Sequence, residues 1–416
     1  MAKYLIRGGK KLFGEIDVQR AKNSVLALIA ASVLVRGKVR ISGCPMIRDV
    51  YTMVRILRGL GARCEFFGGA LDIDCRDIYS SRLPEKLTGE VRASFFLTGA
   101  LLSRFKTATL SRPGGCNIGA RPIDIHLEGF SALGASYGEN EGVLHFYAAG
   151  LKGAEFRLRY PSVGATENLV MAAVLSDGVT VLSNCAREPE IKDLQDFLNA
   201  CGARISGAGS EKIVIRGVER LHGDVEFTPI ADRIEAGTFL LAALSAGGEV
   251  KIKGVKYENI LPLGEKIKNN TCKLYIENDN IYIQANRAPS GFGNVVTAPY
   301  PLFPTDLMPQ LCAAAAVANG GTVITETIFD DRFRFTSELL KMGADVKIYG
   351  DTAVIEGSKL YGAEISAADL RGGAALVIAA LAAEGASVLS GVEHLERGYE
   401  SFSDKLRRLG ADVERK

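Results

Sequence analysis

Residues 112–124 combine side chains that can do chemistry, since they read Arg-Pro-Gly-Gly-Cys-Asn-Ile-Gly-Ala-Arg-Pro-Ile-Asp. The thiol of Cys116 stands among glycines and prolines and between Arg112 and Arg121. Glycine permits unusual backbone angles and close approach of amide N–H groups, while neighbouring guanidinium groups lower the pKa of a thiol and attract anions. The pattern predicts a reactive, anion-binding loop. Taken alone, the segment is also compatible with a turn in which Cys116 is incidental.

Length and charge narrow the class of protein. A chain of 416 residues exceeds the usual size of one hydrophobic core, which predicts two domains of roughly 200 residues. Because 50 Lys and Arg oppose 48 Asp and Glu, the net charge of +2 gives no global field of the kind that nucleic-acid binding requires. The longest apolar run, residues 24–35, is too short to span a bilayer.

Cysteine and histidine usage argues against cofactors and for a reducing compartment. The eight cysteines form no C-x-x-C pair and the first ten residues show no signal peptide, which predicts free thiols in a cytoplasmic protein. The four histidines lie scattered without metal-ligand spacing. With no nicotinamide or flavin motif either, the sequence predicts chemistry without a metal or cofactor.

A recurring phrase of Leu, Cys or Met followed by Gly-Ala divides the chain. It occurs at Gly61, Gly134, Gly202, Gly343 and Gly410. The spacings are about 70 residues except for one of about 140, which predicts a degenerate copy near Asn270 and six units of about 70 residues.

Each unit also contains a stretch of alanine and leucine that is apolar on nearly all sides, which predicts a fully buried helix. These stretches are residues 24–34, 93–103, 165–175, 235–246, 307–318 and 372–383. A second, amphipathic helix, as at residues 401–409, ends at each Gly-Ala, and short β-branched strands lie between the helices. The sequence therefore predicts βαβαββ-like α/β units, three per domain, with a boundary near residue 230.

With these residues the chain resembles the enolpyruvyl transferases, most closely those whose acceptor is UDP-N-acetylglucosamine. The motifs that carry the resemblance run from end to end. They are Gly8-Gly9, Ala21-Lys22-Asn23, Val91-Arg92-Ala93-Ser94, the Cys116 loop, residues 161–168, 186–191, 232–238, 303–306 and 326–333, Asp369-Leu370-Arg371 and Arg397-Gly398-Tyr399-Glu400.

The resemblance implies an α/β fold of two inside-out α/β barrel domains, residues 22–230 and residues 1–21 plus 231–416, with the active site in the cleft between them. It implies transfer of the enolpyruvyl group of phosphoenolpyruvate to the 3-hydroxyl of UDP-N-acetylglucosamine, releasing phosphate through a tetrahedral ketal. This reaction is the first committed step of peptidoglycan biosynthesis, and the family analogy adds alkylation of Cys116 by fosfomycin.

Such a reaction requires a base, an acid and several cations. The resemblance implies that Asp306 is the base at the sugar hydroxyl, that Cys116 protonates the vinyl carbon, and that Lys22 and Arg397 belong to the catalytic set. By its own position, an aspartate after a proline at a helix start is ordinarily a cap. The residues implied to bind phosphoenolpyruvate are Lys22, Asn23, Arg121, Arg332, Arg371 and Arg397.

For the nucleotide sugar the resemblance implies a larger set. It consists of Asn23, Arg92, Arg121, Pro122, Ile123, Asp124, Ile125, Ser162, Val163, Gly164, Asp306 and Ile328. Two of these have a plain structural alternative, Asn23 as an N-cap and Arg92 as an anchor of its helix to a carboxylate. Gln19-Arg20 and Arg159-Tyr160 depart from the family pattern beside the implied contacts, where they would alter affinity rather than chemistry.

Two other functions remain open at the level of sequence. A shikimate-pathway enolpyruvyl transferase shares the implied fold and donor, but the Cys116 loop and residues 121–124 argue against it. A catalytically weak regulatory paralogue would require loss of a catalytic group, and none is visibly lost. The sequence leaves the oligomeric state open.

Overall fold

The structure is a computed structural model, and it describes residues 2–112, 114, 122–268, 270–286 and 288–416. Cys116 and Arg121, both predicted to act in the site, therefore lie outside the described residues. The chain divides into two compact units. The first contains the chain up to Gln19 and residues Ala231–Lys416, and the second contains the described residues between Arg20 and Ile230.

The helices of the described residues are short to medium in length. In chain order they are α1 (Lys22–Ala31), α2 (Arg48–Leu60), α3 (Glu85–Thr88), α4 (Leu97–Phe105), α5 (Asp124–Ala132), α6 (Val163–Ala173), α7 (Pro189–Ala200), α8 (Arg233–Ala246), α9 (Leu261–Lys268), α10 (Met308–Ala315), α11 (Thr336–Lys341), α12 (Leu370–Ala382) and α13 (Phe402–Arg408). Single 3₁₀ turns lie at Ser32–Leu34, Arg92–Phe96, Tyr257–Ile260, Thr305–Leu307 and Val392–Arg397.

The strands are also short. In chain order they are β1 (Tyr4–Arg7), β2 (Leu12–Asp17), β3 (Val35–Arg36), β4 (Lys38–Ser42), β5 (Arg63–Phe67), β6 (Ala70–Asp74), β7 (Thr107–Ser111), β8 (Ser136–Asn140), β9 (Val143–Tyr147), β10 (Glu155–Arg157), β11 (Val179–Ser183), β12 (Arg204–Ser206), β13 (Lys212–Arg216), β14 (Leu221–His222), β15 (Val225–Phe227), β16 (Gly248–Lys253), β17 (Cys272–Glu277), β18 (Asn280–Ala285), β19 (Gly293–Val296), β20 (Thr322–Thr325), β21 (Asp345–Tyr349), β22 (Thr352–Glu356), β23 (Glu364–Ser366), β24 (Ala386–Ser390) and β25 (Asp412–Arg415).

One sheet pattern recurs in both units. In the first unit the sheets have the orders β23-β24-β1-β25, β2-β16-β18-β17 and β19-β20-β22-β21. In each of them the first pair is parallel and the next two pairs are antiparallel. The second unit repeats this arrangement in β10-β11-β13-β12 and β15-β4-β6-β5, and adds the three-stranded antiparallel sheet β7-β9-β8 and the short pair β14-β3.

Apolar helices form the core of each unit. In the first unit α8, α10 and α12 pack against one another, and all fourteen residues of α8 are buried. In the second unit α4 packs against both α1 and α6. Because alanine and leucine lie on every face of these helices, few polar side chains are removed from water when all faces are buried. The predicted buried helices are confirmed, with starts and ends that shift by a few residues, since the first and second stretches each include a 3₁₀ turn.

Each Gly-Ala phrase follows the C-terminus of a helix, namely α2, α5, α7, α11 or α13. Gly61, Gly134, Gly202, Gly343 and Gly410 all have φ between +86° and +109°, a region that side chains with a Cβ avoid. A strand begins two residues after each glycine. At the predicted degenerate copy, Asn270 follows α9 instead, and its side-chain carbonyl accepts hydrogen bonds from the amides of Thr271 and Ser290.

No helix among the described residues combines the length and the apolar character needed to cross a membrane. The seven described cysteines are free thiols, and six of them are buried. Burial raises the pKa of the Cys64, Cys185 and Cys201 thiols to about 12.

Candidate functional site

In the first unit, Asp306 is held between two arginines. Its Oδ1 accepts a hydrogen bond of 2.9 Å from Nη2 of Arg332, and its Oδ2 accepts one of 3.2 Å from Nη2 of Arg371. Asp306 lies in the 3₁₀ turn Thr305–Leu307, whose N-cap is Pro304, and α10 begins after Leu307. Asp306 is therefore not an N-cap, and the alternative reading of it as one is wrong.

The side chains of both arginines, Arg332 and Arg371, are buried. The side chains of Arg332 and Arg371 are 2% and 4% exposed, whereas that of Asp306 is 30% exposed. Among the described residues, Nε of Arg332 and Nη1 of Arg371 have no hydrogen-bond acceptor. Buried donors without an acceptor are rare and costly, so they point to a ligand that supplies one. Guanidinium groups favour a carboxylate or a phosphate in this role.

Aromatic and carboxylate groups fix the two arginines. The guanidinium carbon of Arg371 lies 5.4 Å from the centre of the Tyr399 ring, and Nη1 of Arg332 lies 3.8 Å from Oδ1 of Asp369. Burial alone would lower the pKa of Arg371, but Tyr399, Asp306 and Asp232 raise it above its ordinary value. Arg371 is therefore a permanent cation.

A buried carboxylate shapes the turn that carries Ile328. Oε1 of Glu326 accepts hydrogen bonds from the amides of Ile328 and Phe329, at 2.8 and 3.2 Å, and Oε2 accepts one of 2.8 Å from the hydroxyl of Thr305. Thr305 immediately precedes Asp306. Glu326 therefore ties the predicted sugar-contacting residue Ile328 to the turn of the predicted base.

Arg397, the last residue of the 3₁₀ turn Val392–Arg397, is half-buried. The residues after it are firmly placed, since the hydroxyl of Tyr399 hydrogen-bonds Thr238 at 2.9 Å and accepts from Gln310 Nε2 at 3.3 Å. The first unit thus fixes the residues that follow Arg397, in addition to bringing Asp306, Arg332 and Arg371 into direct contact.

In the second unit, Lys22 begins α1 and forms a salt bridge of 3.0 Å with Asp49. The side chains are 14% and 5% exposed. Asn23 is the next residue of the helix, and the N-cap is Ala21, so the reading of Asn23 as an N-cap is wrong. A partly buried lysine at a helix N-terminus, where the dipole also favours negative charge, is suited to an anion.

Arg92 begins the 3₁₀ turn Arg92–Phe96 and is half-buried. Its charge acts on His126, because burial first and Arg92 second lower the pKa of that imidazole to about 3. His126 lies 3.1 Å from Nδ2 of Asn168, which also donates to the carbonyl of Phe95. A neutral His126 accepts this hydrogen bond and so helps to fix the turn that begins at Arg92.

Asp124 is the first residue of α5, and its Oδ1 accepts a hydrogen bond from the amide of Ile125. Its other oxygen pairs with Arg159, which also pairs with Glu128 one turn further along α5. Of the neighbouring predicted residues, Pro122 is exposed, whereas Ile123 and Ile125 are buried. Asp124 is the member of this group whose polar atoms can meet a ligand.

Ser162 is the N-cap of α6, and its hydroxyl accepts a hydrogen bond of 3.3 Å from the amide of Ala165. Val163 and Gly164 are the first two residues of that helix. The first amides of a helix lack intrahelical acceptors and lie at its positive end. They can therefore receive an anion such as a diphosphate.

Sequence reasoning missed three partners that the structure brings to the predicted residues. They are Asp49 at Lys22, Arg159 at Asp124 and Tyr399 at Arg371. Tyr399 lies inside a recognised motif, and Arg159 stands out as a departure from the family pattern. Asp49 gives no signal in the sequence. In the part of the chain that the structure describes, no group of His, Cys, Asp and Glu could hold a metal ion.

The family model of EPSP synthase (3-phosphoshikimate 1-carboxyvinyltransferase) matches residues 6–406. The chain is 49% identical, over all of both chains, to UDP-N-acetylglucosamine 1-carboxyvinyltransferase 2 of Caldanaerobacter subterraneus subsp. tengcongensis. It is 44% identical to the protein of that name from Carboxydothermus hydrogenoformans, over 100% of this chain and 99% of the relative.

Two solved structures share the fold of this chain. The enolpyruvyl transferase NikO from Streptomyces tendae superposes with a TM-score of 0.90 and 26% identity, over 100% of this chain and 98% of that one. EPSP synthase from Acinetobacter baumannii, at 20% identity and a TM-score of 0.76 over the whole of both chains, shares the fold. The chain belongs to the EPSP synthase family of enolpyruvyl transferases and is an enzyme of the α/β enolpyruvyl transferase fold. Within that family, its similar relatives are UDP-N-acetylglucosamine 1-carboxyvinyltransferases.

Proposed function

We propose that the enzyme transfers the enolpyruvyl group of phosphoenolpyruvate to the 3-hydroxyl of UDP-N-acetylglucosamine and releases phosphate. This is the first committed step of peptidoglycan biosynthesis, and we place it in the cytoplasm. The observation that carries the proposal is Asp306 between the buried Arg332 and Arg371, whose spare donors call for an anion. The full-length similarity to relatives of that name supports the choice of acceptor.

Phosphoenolpyruvate, the substrate that donates the enolpyruvyl group, carries a phosphate and a carboxylate. Arg332 and Arg371 offer planar, paired donors for one of them, because guanidinium groups match such anions geometrically. Lys22 with Asn23 at the start of α1, together with Arg121 and Arg397, completes the proposed set for phosphoenolpyruvate.

Donor binding and base activation are linked in this arrangement. Both oxygens of Asp306 accept hydrogen bonds from guanidinium groups. Each oxygen of the carboxylate keeps a further lone-pair site, so Asp306 can accept the proton of the sugar hydroxyl. When an anion of phosphoenolpyruvate draws the guanidinium groups toward itself, Asp306 is less neutralised and becomes a stronger base.

The bonds balance as follows. The 3-hydroxyl oxygen adds to C2 of phosphoenolpyruvate while its proton passes to Asp306, and C3 takes a proton from Cys116 to give the tetrahedral ketal. In the elimination, C3 returns a proton to the Cys116 thiolate and phosphate leaves C2, which restores the double bond. The proton held by Asp306 passes to the leaving phosphate or to solvent, so both groups regain their starting protonation. Cys116 enters by family resemblance, because it lies outside the described residues.

For the acceptor, Asp124 is proposed to bind the uracil edge, since a carboxylate accepts from its N–H. Ser162 with the amides of Val163 and Gly164 is proposed to bind the diphosphate. The remaining members of the proposed set are Asn23, Arg92, Arg121, Pro122, Ile123, Ile125, Asp306 and Ile328.

We further propose that each unit is an inside-out α/β barrel of three repeats, with domains at residues 22–230 and at residues 1–21 plus 231–416. The recurring sheet order and the apolar helices support this proposal. That the groups of both units act on the same substrates follows from the family resemblance.

Phosphate release tests the function. Purified protein receives phosphoenolpyruvate with UDP-N-acetylglucosamine, or with shikimate 3-phosphate, each in the presence of a chelator. We expect release only with the sugar nucleotide, undiminished by the chelator, and a sharp loss of turnover in Cys116→Ser. Release only with shikimate 3-phosphate would identify the other transferase, and release with neither would favour a regulatory paralogue.

A further inference from the structure

Gln19 is a buried polar residue that the mechanism above does not use. It is 7% exposed and is the last residue of its segment in the first unit, since Arg20 belongs to the second. All of its polar groups are engaged. Its backbone amide donates to Oε2 of Glu235 at 2.7 Å, and its carbonyl accepts from the amide of Asp232 at 2.8 Å.

The side chain of Gln19 binds the segment that follows Arg397. Nε2 donates to the carbonyl of Gly398 at 2.7 Å, and Oε1 accepts from the amide of Glu400 at 2.8 Å. One primary amide thus pairs with two backbone groups on the same edge of the chain, as a neighbouring strand would. Both contacts are made within the first unit.

The held segment carries two parts of the proposed donor site. Arg397 directly precedes Gly398, and Tyr399, whose ring lies under Arg371, sits between the two bonded residues. Tyr399 is 2% exposed and its hydroxyl is bonded to Thr238. The segment is therefore fixed by Gln19 along its backbone and by Tyr399 through its side chain.

Gln19 is itself firmly anchored. Glu235, which accepts from its amide, is fully buried and forms a salt bridge of 2.7 Å with Lys405. Asp232, which donates to its carbonyl, is the N-cap of α8. A well-anchored side chain with both ends satisfied costs little further entropy when it holds another segment.

We propose that Gln19 is a positioning residue that sets the backbone after Arg397 and thereby the affinity for phosphoenolpyruvate. The proposal rests on the proposed function, because it takes Arg397 and Arg371 as donor-binding residues. A small misplacement of a clamp weakens binding and transition-state stabilisation strongly. The hydrogen-bond partners of Gln19 among the described residues are Glu235, Asp232, Gly398 and Glu400, none of which is a predicted acceptor-binding residue, so we expect UDP-N-acetylglucosamine binding to be independent of it.

Two variants test the proposal against a matched control. Gln19→Leu removes both hydrogen bonds, and Gln19→Glu keeps the acceptor for Glu400 while placing an oxygen against the Gly398 carbonyl. We expect the KM for phosphoenolpyruvate to rise about tenfold in each, with the KM for UDP-N-acetylglucosamine within about twofold of wild type. The control Gln284→Leu removes an exposed amide that donates to Glu249 on a neighbouring strand, and should change neither.

The glutamate variant adds a readout that a merely structural role would not move. A protonated Glu side chain can donate to Gly398 as the amide does, so the ratio of its KM to that of wild type should fall from pH 8 to pH 6. Taking this ratio at each pH removes the titration of the substrate, which is the same for both proteins. The charged groups near position 19 are Glu235, Asp232, Lys405, Arg397 and Glu400.

The outcomes separate the two proposals. If wild type shows no phosphate release with UDP-N-acetylglucosamine, the proposed function fails. If wild type is active but the variants leave the KM for phosphoenolpyruvate unchanged, or raise both KM values equally, the role of Gln19 is overturned. Should Gln19→Leu not fold, Gln19→Glu with its pH ratio decides alone.

Discussion

Arg332 donates a hydrogen bond of 2.9 Å to Asp306, so a predicted donor-binding cation and the predicted base are bonded to each other. An anion that takes the same Nη2 donor must compete with this carboxylate, whereas Nε of Arg332 has no acceptor among the described residues. In the proposed mechanism, the Asp306 carboxylate offsets part of the positive charge of the two arginines, and phosphoenolpyruvate would change that balance when it binds.

Asp306→Asn should abolish transfer while the protein still binds both substrates. The amide keeps the shape and one acceptor for the arginines but cannot take the proton of the hydroxyl. We expect kcat to fall about 10²–10⁴-fold and the affinity for phosphoenolpyruvate to increase, because a competing negative charge is gone. Kinetics and calorimetric titration measure both. Asp331→Asn, an exposed carboxylate paired with Arg334, should behave as wild type, and full activity of Asp306→Asn would remove the base assignment.

Arg332→Lys should weaken donor binding although charge is conserved. Lysine cannot make the paired planar contact of a guanidinium group, and at a site 2% exposed the geometry is not replaced by water. We expect the KM for phosphoenolpyruvate to rise at least about tenfold. The exposed Arg334→Lys is the control, and an unchanged KM in Arg332→Lys would exclude a donor-binding role.

Asp49→Asn should both destabilise the protein and disturb Lys22. The salt bridge is nearly buried, and removal of one partner leaves the ammonium group uncompensated, which costs about 3 kcal/mol. Urea unfolding measures the loss in stability, and the KM for phosphoenolpyruvate reports on the position of Lys22. Asp72→Asn, whose partners Arg40 and Lys38 are more exposed, should cost less. Equal losses of stability in the two variants would show that burial does not strengthen the salt bridge between Lys22 and Asp49.

Stability should fall with acid because of His126. Burial lowers the pKa of this imidazole from 6.5 to about 3, so below pH 6.5 the unfolded chain takes up a proton that the folded chain does not. The contribution of His126 to the free energy of unfolding is therefore present above pH 6.5 and is lost as the pH falls toward 3. The loss is about 2 kcal/mol between pH 6.5 and pH 5.

Comparing the unfolding free energies of wild type and His126→Gln at pH 5 and 7.5 isolates the contribution of His126, because the variant lacks the titrating group. The difference in stability between the two pH values should be smaller in the variant than in wild type. His145→Gln, at an exposed site, should keep the dependence of wild type. An identical pH dependence in wild type and His126→Gln would assign the acid sensitivity to other groups.

Arg159→Ala should strengthen binding of UDP-N-acetylglucosamine. Arg159 occupies one oxygen of Asp124, the residue proposed to meet the uracil edge, and such exposed pairs are worth only a fraction of a kcal/mol to about 1 kcal/mol. Its removal should therefore lower the KM for the nucleotide about two- to fivefold. Arg157→Ala, an exposed neighbour on β10, is the control. A higher KM in Arg159→Ala would show that this cation aids the nucleotide instead.

The sequence predicted the buried helices because alanine and leucine on every face leave only one environment open to them, as α8 and α12 show. It also located the ends of amphipathic helices, since Gly61 and Gly410 follow α2 and α13 with a positive φ that a Cβ disfavours. Both signals are local in the chain and so can be read without the fold.

The contacts of the site could not be read in this way. Lys22 and Asp49 lie far apart in sequence, as do Gln19 and Gly398, and only the folded backbone decides which polar groups meet. The motifs gave the residue types for the chemistry. They did not show that Asp306 bonds both Arg332 and Arg371, which is the observation on which the proposed link between base and phosphoenolpyruvate rests.

The buried cysteines have a practical consequence for labelling. Thiol reagents attack the thiolate, and burial both shields these sulfurs and keeps them protonated at neutral pH. The folded protein therefore offers a low background to a maleimide or iodoacetamide probe. Mass spectrometry of peptides from briefly labelled native enzyme can follow the reactivity of Cys116 without replacing any of the buried cysteines.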